Sequence, residues 1–504
     1  MNATTKIYFL LKIILAAFLL TGIIINPAIF TIFSANRDGL FLPFLWCYVV
    51  MLVAYYYLMK KTISLERNFE ICLALLFMAL LPRLVALAYF EYVPTYDFLR
   101  YFRFGQYVLE GNFPIRYISE HYRQPVFAGL AMLQGVLMYF FSSTLLGLQL
   151  ANIFMVSFSC VLIYSIIQRY NKAVGGVAAY LYVVYPAGIL SPLVTSNQHG
   201  ALLFVLLSIY FIQKGLALNN KKAFMFISIS AICVLISHFF HQSAPIVLVS
   251  LTLFLLLNSI GNKNFLFRRA IPIIAVFLLI FGFGQNVVLD IAYNRGIMEV
   301  REPTRHMLFK VYLGTSFYSR GGWYRYDDQH FRHLPRQVQR DYYLEMIRNN
   351  LTGVSFRDVA SLARTKVSIA WFTGSSYICC WLPHGLYTQL QEQGRDEERL
   401  SLKAVTQALA QVDMLFTHIV YLFCIIYLVF AKKIESNNVL NIFLFIAGGW
   451  ILFLVFTEVQ SRYRYPAMPT FMIFAAFGLV YFYDFIKPHL KSWHIIIRKG
   501  MANK

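Results

Sequence analysis

Charged residues are scarce in this sequence: Asp, Glu, Lys and Arg make up 13% of its 504 residues, whereas hydrophobic residues make up 59%. A soluble protein of this length has no core that could bury so much apolar sequence. The composition therefore excludes an ordinary soluble enzyme. It predicts an all-α polytopic integral membrane protein.

Acidic residues are the scarcer of the two charge signs. The chain has 23 Asp and Glu against 44 Lys and Arg, which gives a formal net charge of +21. No basic run interleaved with stacking aromatic residues occurs in a soluble-looking stretch, so the excess does not indicate nucleic acid binding. In a membrane protein it indicates basic cytoplasmic loops, together with groups for a phosphorylated ligand.

Cysteine is also rare, and the seven cysteines lie mostly inside apolar runs. Their spacing matches neither a zinc site nor a disulfide framework. The sequence shows no heptad pattern, solenoid period or low-complexity tract. These absences favour one membrane domain with a single sizeable extramembrane insertion.

Apolar runs long enough to cross a bilayer predict about twelve transmembrane helices. They are 7–31, 40–58, 70–90, 147–167, 173–191, 199–214, 222–238, 244–259, 270–288, 412–431, 439–457 and 467–485. Two further apolar stretches, 124–143 and 366–384, are predicted not to cross. Only then do the Lys- and Arg-rich loops all fall on the cytoplasmic side.

This topology divides the chain into three parts. Residues 1–288 form an N-terminal transmembrane bundle that includes a first outer loop at 91–123. Residues 289–411 form a large outer-face loop with an interfacial segment, and 412–504 form the C-terminal helices and a cytoplasmic tail. Polar and ionisable side chains gather in the outer segments, so we expect an active site on the outer side of the membrane.

The first outer loop contains an amphipathic, aromatic-rich helix from Tyr96 to Leu109, and Gly111 is placed to stop it. Such a helix between two spans should lie along the bilayer surface. Asp97, at its start, is the candidate catalytic carboxylate, either as a general base or as the ligand of a divalent cation, Mg²⁺ or Mn²⁺. The alternative is a solvated loop with interfacial anchors. Further candidates in this loop are Tyr96, Arg100, Glu120 and His121 for substrate, and Arg123 for a donor phosphate.

The last outer turn, TEVQSRYRYPAMP (457–469), contains Arg462 and Arg464 directly before the final span. Arginine forks match phosphate oxygens, and Glu458 and Tyr463 could complete a substrate site. The alternative is interfacial anchoring by aromatic and basic residues. Two arginines on the outer face oppose the positive-inside bias, which favours anion binding.

Three histidines, His199, His238 and His241, lie near span ends on the predicted outer side. A histidine there can bind phosphate or a sugar hydroxyl, or it can cap a helix. We assign His241 to the donor phosphate and His199 to the substrate. The three are not spaced as one metal site.

The large outer loop contains GTSFYSRGGWYRYDD (314–328). Exposed Trp and Tyr rings stack on sugars, so Trp323 and Tyr324 are candidate substrate contacts. The alternative is a folded cover over the membrane domain. From Asp341 to Lys366 the pattern predicts an amphipathic helix rich in arginine.

The order of these motifs resembles the GT-C superfamily of membrane glycosyltransferases, in its aminoarabinose-transferase and protein-mannosyltransferase-like branch. That branch has an acidic residue early in its first outer loop, which matches Asp97. The other matching segments are RQPVFAGLA (123–131), YPAGILSPLVTSNQ (185–198), RTKVSIAWF (364–372) and SRYRYPAMPTFMIFAAFGL (461–479). Phe98 departs from the pattern, because a second acidic residue is common there. TSNQHGALLFVLLSIYFIQKG (195–215) and SHFFHQSAPIVLV (237–249) also resemble O-antigen and exopolysaccharide polymerases.

The resemblance implies a GT-C-like bundle that transfers a sugar from a polyprenyl-phosphate-linked donor. The acceptor would be a lipid, glycan or protein on the outer or periplasmic face of the inner (plasma) membrane, in cell-envelope polysaccharide or glycoconjugate synthesis. One alternative is a polymerase that joins lipid-linked repeat units. An alternative of another class is a transporter or flippase of lipid-linked saccharides, which Arg83, beside Pro82 inside a span, favours.

Overall fold

The computed structural model describes residues 3–25, 40–112, 125–242, 244–297, 308–322, 335–373, 377–430 and 440–502. Across these ranges the regular structure is helical, and none of them contains a β-strand. The prediction of an all-α polytopic membrane protein is confirmed.

In the described ranges, nine α-helices precede residue 220. They are α1 (Ala3–Ile25), α2 (Phe41–Ile63), α3 (Asn68–Tyr89), α4 (Tyr96–Glu110), α5 (Pro125–Phe141), α6 (Leu145–Ile167), α7 (Lys172–Val183), α8 (Pro186–Leu190) and α9 (Gln198–Leu216). The second half continues with α10 (Lys221–Phe240), α11 (Ala244–Asn258), α12 (Lys263–Asn294), α13 (Leu308–Thr315), α14 (Arg336–Leu351), α15 (Phe356–Val367), α16 (Leu382–Glu392), α17 (Asp396–Phe430), α18 (Asn441–Phe456) and α19 (Met468–Ala502).

Nine helices in the described ranges are long and apolar enough to cross a membrane. A tenth crossing arises if α7 and the segment Pro186–Leu193, bent by 63° at their junction, count as one broken span. The two remaining predicted spans coincide with the shorter apolar helices α11 and α18. The total of about twelve crossings therefore stays a prediction.

The two apolar stretches predicted not to cross have different structures. The stretch 124–143 contains α5, a helix of 17 residues that packs against α4. The stretch 366–384 is divided among the end of α15, two π-helical turns at Ser368–Phe372 and Tyr377–Trp381, and the start of α16. Its described residues therefore include no helix of span length.

The single amphipathic helix predicted from Asp341 to Lys366 is wrong, because the chain forms α14 and α15 with a break between them. Gly353 has φ +75° there, a conformation that glycine adopts at little cost. The Ser355 hydroxyl then accepts a hydrogen bond from the Asp358 N–H at 3.2 Å and caps the start of α15.

A few contacts connect loops that the sequence assigned to the same side of the membrane. On one face, Thr195 Oγ1 donates to Phe98 O at 3.1 Å, and Arg462 lies beside Asp97. On the other face, Arg269 donates to Leu216 O at 2.8 Å, which joins two basic loops. The segments predicted to lie outside thus contact one another, and so do those predicted to lie inside.

Candidate functional site

Helix α4 presents Asp97 at its first turn. The preceding Thr95 is extended, and Phe98 is buried at 1% exposure, so the helix starts against the bundle. Asp97 points the other way, with 43% of its side chain exposed. Gly111, in the left-handed conformation at φ +65°, ends α4 as predicted.

Two arginines flank the Asp97 carboxylate. Arg100 Nη1 lies 3.5 Å from Oδ1, one helical turn away, and Arg462 Nη2 lies 3.8 Å from Oδ2. Both separations are longer than a good charge-assisted hydrogen bond. The carboxylate is therefore neutralised but loosely held, and a ligand could displace either guanidinium from it.

Aromatic rings enclose the Arg462 guanidinium. Its central carbon lies 4.7 Å from the Trp381 ring centre, 5.2 Å from Phe98 and 5.4 Å from Tyr463. These are cation–π distances, and the side chain is only 9% exposed. Arg462 is thus a desolvated cation held next to a solvent-accessible carboxylate, at the meeting point of the predicted first and last outer segments.

Arg464 does not reach this surface, although it is two residues away on the same 3₁₀ helix, Ser461–Ala467. Its side chain is 1% exposed and lies 3.4 Å from Asp413 Oδ2. Its Nη1 donates to Trp371 O at 2.8 Å and Thr373 O at 2.7 Å. The Arg464 guanidinium is bonded to these internal partners. We therefore do not include Arg464 in the proposed phosphate site, although the sequence predicted it there.

Glu458 lies next to Tyr463, one of the aromatic rings around Arg462, and its carboxylate is bonded to other residues of the protein. Its carboxylate forms an ion pair with Lys310, and Oε1 accepts from Gln460 Nε2 at 2.8 Å and from the Tyr463 hydroxyl at 3.4 Å. Burial alone would raise the pKa of Glu458. The charge and hydrogen bond of Lys310, with smaller contributions from Gln460 and Arg462, outweigh burial and lower that pKa below its ordinary value. Glu458 is therefore ionised. It accepts a hydrogen bond from Tyr463 and interacts electrostatically with Arg462.

Of the two histidines assigned to ligand binding, His199 is fully buried and His241 is partly exposed. Burial, then the charges of Arg462 and Lys310, lower the pKa of His241 to about 3, so its ring is neutral and contributes no charge to a phosphate site. His199 Nε2 lies 3.0 Å from Ser191 O, and its ring packs edge-on against Tyr465. The contacts of His199 therefore favour the structural alternative, in which the histidine caps a helix, over substrate binding.

Other predicted site residues are placed less centrally. The Tyr96 ring is exposed and contacts the His384 ring at 5.2 Å. Its backbone has φ +48°, a strained conformation for tyrosine, immediately before Asp97. The remaining predicted site residues lie outside the described ranges: Glu120, His121, Arg123, Trp323 and Tyr324.

The donor set around Asp97 does not fit a divalent cation. In the described part of the chain, no three His, Cys, Asp or Glu side chains lie in an arrangement that could hold a metal ion. Asp97 has two guanidinium groups within 4 Å, and hard cations such as Mg²⁺ prefer several oxygen ligands. The arrangement instead suits a carboxylate that accepts a proton next to a cation that binds an anion.

Sequence reasoning missed four residues that build this site: Trp381, Lys310, Lys366 and Asp413. Lys366 donates to Gly314 O at 2.8 Å and Val455 O, and burial lowers its pKa to about 8. Asp413 interrupts an apolar run, which is the one signal that could have marked it. Nothing in the local sequence distinguishes the other three from ordinary interfacial residues.

The fold and this site define an integral membrane protein with its polar groups gathered at one end of a helical bundle. No protein-family model and no curated protein matches the sequence. The structure is similar to archaeal oligosaccharyltransferase AglB from Archaeoglobus fulgidus in complex with an inhibitory peptide and a dolichol-phosphate, with TM-score 0.43 and 10% identity over 84% of this chain. It is also similar to the apo form of the Archaeoglobus fulgidus oligosaccharyltransferase, with TM-score 0.41 and 12% identity. This chain spans about half the length of either structure, 52%. Similarity of this degree does not assign an activity.

Proposed function

We propose that this chain is a membrane glycosyltransferase that moves a sugar from a polyprenyl-phosphate-linked donor to a hydroxyl-bearing acceptor on the outer face of the membrane. The observation that carries the proposal is the pairing of Asp97 with Arg462. An accessible carboxylate lies 3.8 Å from a desolvated guanidinium. A displacement at a phosphate-linked sugar needs these two groups: a base for the attacking hydroxyl and a cation for the departing phosphate.

Asp97 would act as the general base. The acceptor hydroxyl approaches Asp97, loses its proton to the carboxylate and attacks the anomeric carbon of the donor sugar. The bond from that carbon to the phosphate oxygen breaks with inversion, and the electron pair leaves with the polyprenyl phosphate. Arg100, one turn along α4, keeps the carboxylate oriented while the proton moves.

Arg462 would stabilise the leaving phosphate. Negative charge on the phosphate grows in the transition state, and a preorganised, desolvated cation stabilises that charge more than water does. The rings of Phe98, Trp381 and Tyr463 hold the guanidinium in place, so little reorganisation is needed. The mechanism includes no metal ion, because the described groups around Asp97 do not form a cation site.

A flippase of lipid-linked saccharides is the second candidate, favoured by the break between α7 and α8 beside Arg83. However, Arg83 donates through Nε to Gly188 O at 3.0 Å and through its other nitrogens to Ala79 O and Tyr182 O. Its charge is thus used to hold the break together. Transfer of single sugars and polymerisation of repeat units share the proposed chemistry, and they differ only in the donor supplied.

Purified protein in lipid nanodiscs should release polyprenyl phosphate from polyprenyl-phosphate sugars, or polyprenyl diphosphate from polyprenyl-diphosphate sugars, when an acceptor is present. Loss of a positioned general base costs about 10²- to 10⁴-fold, so Asp97→Asn should reduce the rate by that factor while the protein still inserts and folds. Glu110→Gln, at the far end of the same helix, is the matched control. Wild-type turnover by Asp97→Asn would remove Asp97 from the mechanism, and lipid movement without bond cleavage would favour the flippase.

The outward orientation of the site has a separate test. Cysteines introduced near Asn112 and near Gly321 should react with a membrane-impermeant thiol reagent added to intact cells. A cysteine at Asn220 should react only after the membrane is opened. Labelling of the Asn220 position from outside would reverse the orientation and place the site in the cytoplasm.

A further inference from the structure

We infer that Asp413 and Arg464 form a positioning pair that holds Arg462 in its place at the site. The inference rests on the proposed function only for what Arg462 binds. The pair itself is defined by contacts inside the bundle. Asp413 lies in α17 and Arg464 in the 3₁₀ helix before α19, and their side chains are 0% and 1% exposed.

Burial makes the two charges dependent on each other. Removing either partner leaves an uncompensated charge in a low-dielectric interior, which is far more costly than losing a surface ion pair. At 3.4 Å the pair also leaves room for further bonds on each side. Hydrogen bonds from each partner reach main-chain groups at points where helices are interrupted.

Asp413 uses its second oxygen at the broken span. Oδ1 accepts a hydrogen bond from Ala187 N at 3.1 Å, in the first turn of α8 just beyond the 63° bend. A helix start has N–H groups without intrahelical acceptors and a partial positive charge, so a carboxylate there is favourable. Asp413 therefore fixes the bend to α17.

Arg464 donates through Nη1 at the end of the π-helical turn Ser368–Phe372, while its Nη2 faces Asp413. The carbonyls of Trp371 and Thr373, which receive its two short hydrogen bonds, lie where that turn stops. The pair thus connects three interruptions of the helical bundle: the broken span, the π turn, and the 3₁₀ helix that carries Arg464. A lysine could keep the charge at 464 but could not span these partners.

Arg462 and Arg464 share that 3₁₀ helix, Ser461–Ala467. With three residues per turn, side chains two positions apart point in different directions, so fixing Arg464 inward fixes Arg462 toward Asp97. The rings of Phe98, Trp381 and Tyr463 then hold the Arg462 guanidinium in place, whereas the Asp413–Arg464 pair fixes the backbone of the 3₁₀ helix. Arg464 is in this sense a positioning residue, which need not touch the ligand.

The test measures the exposure of position 462 directly. Arg462→Cys is combined with Arg464→Lys or Asp413→Asn, and the rate of thiol modification is followed by peptide-resolved mass spectrometry in nanodiscs. We expect the thiol at 462 to react at least about tenfold faster in both combinations, because the 3₁₀ helix loses its inner anchor. The buried native thiols of Cys160 and Cys233 report any general loosening and should keep their slow rates.

Arg83→Lys is the matched control, since Arg83 is also fully buried and bonded to main-chain carbonyls around the same broken span. It should leave the thiol at 462 slow. If the single variants fail to fold, Asp413→Asn with Arg464→Gln removes both charges together, and its thiol at 462 should still react faster than in Arg462→Cys alone. Unchanged labelling at 462 in the folded variants would overturn the inference.

This result does not depend on enzyme activity, so failure of the proposed function is distinguishable from failure of the positioning role. Enzyme kinetics provide a second measurement, made with Arg462 unchanged. Arg464→Lys should raise the KM for the lipid-linked donor by about tenfold, while Arg83→Lys should not. A chain that transfers no sugar but shows faster labelling at 462 would contradict the proposed function and keep the positioning pair.

Discussion

Arg462 and Arg464 lie two residues apart in one 3₁₀ helix, yet they occupy opposite environments. Arg462 lies among three aromatic rings, 3.8 Å from a carboxylate that is 43% exposed. Arg464 lies 3.4 Å from a carboxylate with no exposure and bonds two main-chain carbonyls. The first arginine can exchange its partner for a ligand, and the second cannot do so without disrupting the bundle. Charge alone therefore does not distinguish the two arginines, whereas the exposure of the partner carboxylate does.

The largest effect on stability should come from the buried pair. Asp413→Ala leaves the Arg464 guanidinium without its counter-charge and Ala187 N without its acceptor. Loss of one partner of a buried pair costs about 3–5 kcal/mol, so this variant should unfold at a clearly lower temperature in detergent. Asp97→Ala, which removes the partly exposed partner of Arg462, should change the melting temperature little. Equal effects of the two alanine variants would erase the distinction between the pairs.

The largest effect on turnover after Asp97 should come from Arg462. Arg462→Lys keeps the charge but loses the fork and the stacking on Trp381. Loss of one charge-assisted contact in a desolvated site costs about 2–4 kcal/mol of transition-state stabilisation, or roughly 30- to 1000-fold in rate. Steady-state kinetics with a lipid-linked donor measure this, and Arg348→Lys in α14 serves as the control. Wild-type kcat/KM in Arg462→Lys would make Arg462 an interfacial anchor.

A smaller, pH-dependent effect on stability should come from the buried Glu458. Because the folded-state pKa of Glu458 is lowered, its ion pair contributes stability above the ordinary pKa of 4.5, and that contribution is lost as pH falls through the folded pKa. Glu458→Gln should therefore lower stability at pH 7 by about 1 kcal/mol, since Lys310 is half-exposed and screened. Melting curves of the two proteins should converge at acid pH. A difference in stability that stays constant as the pH falls well below 4.5 would contradict the lowered pKa of Glu458.

The sequence predicted the spans well because a helix in lipid must satisfy its main chain internally and must be apolar over its length. It also predicted α4 and Gly111 as its stop. The sequence could not show that the side chains of Arg462 and Arg464 point into different environments, because the direction of a side chain on a 3₁₀ helix depends on partners elsewhere in the chain. Asp413, 51 positions before Arg464, and Thr373 are such partners. The break at Gly353 was missed because a single glycine interrupts an otherwise continuous helical pattern.

The donor phosphate site at Arg462 is the central feature of the proposed mechanism. A polyprenyl phosphate with a photoreactive group next to the phosphate, added to the protein in nanodiscs and activated by light, measures its position directly. We expect labelled peptides to contain residues 96–100 and 458–463, with labelling reduced by excess unlabelled polyprenyl phosphate and by Arg462→Gln. Labelling confined to other parts of the chain, or unaffected by the competitor and by Arg462→Gln, would contradict the placement of the phosphate at Arg462.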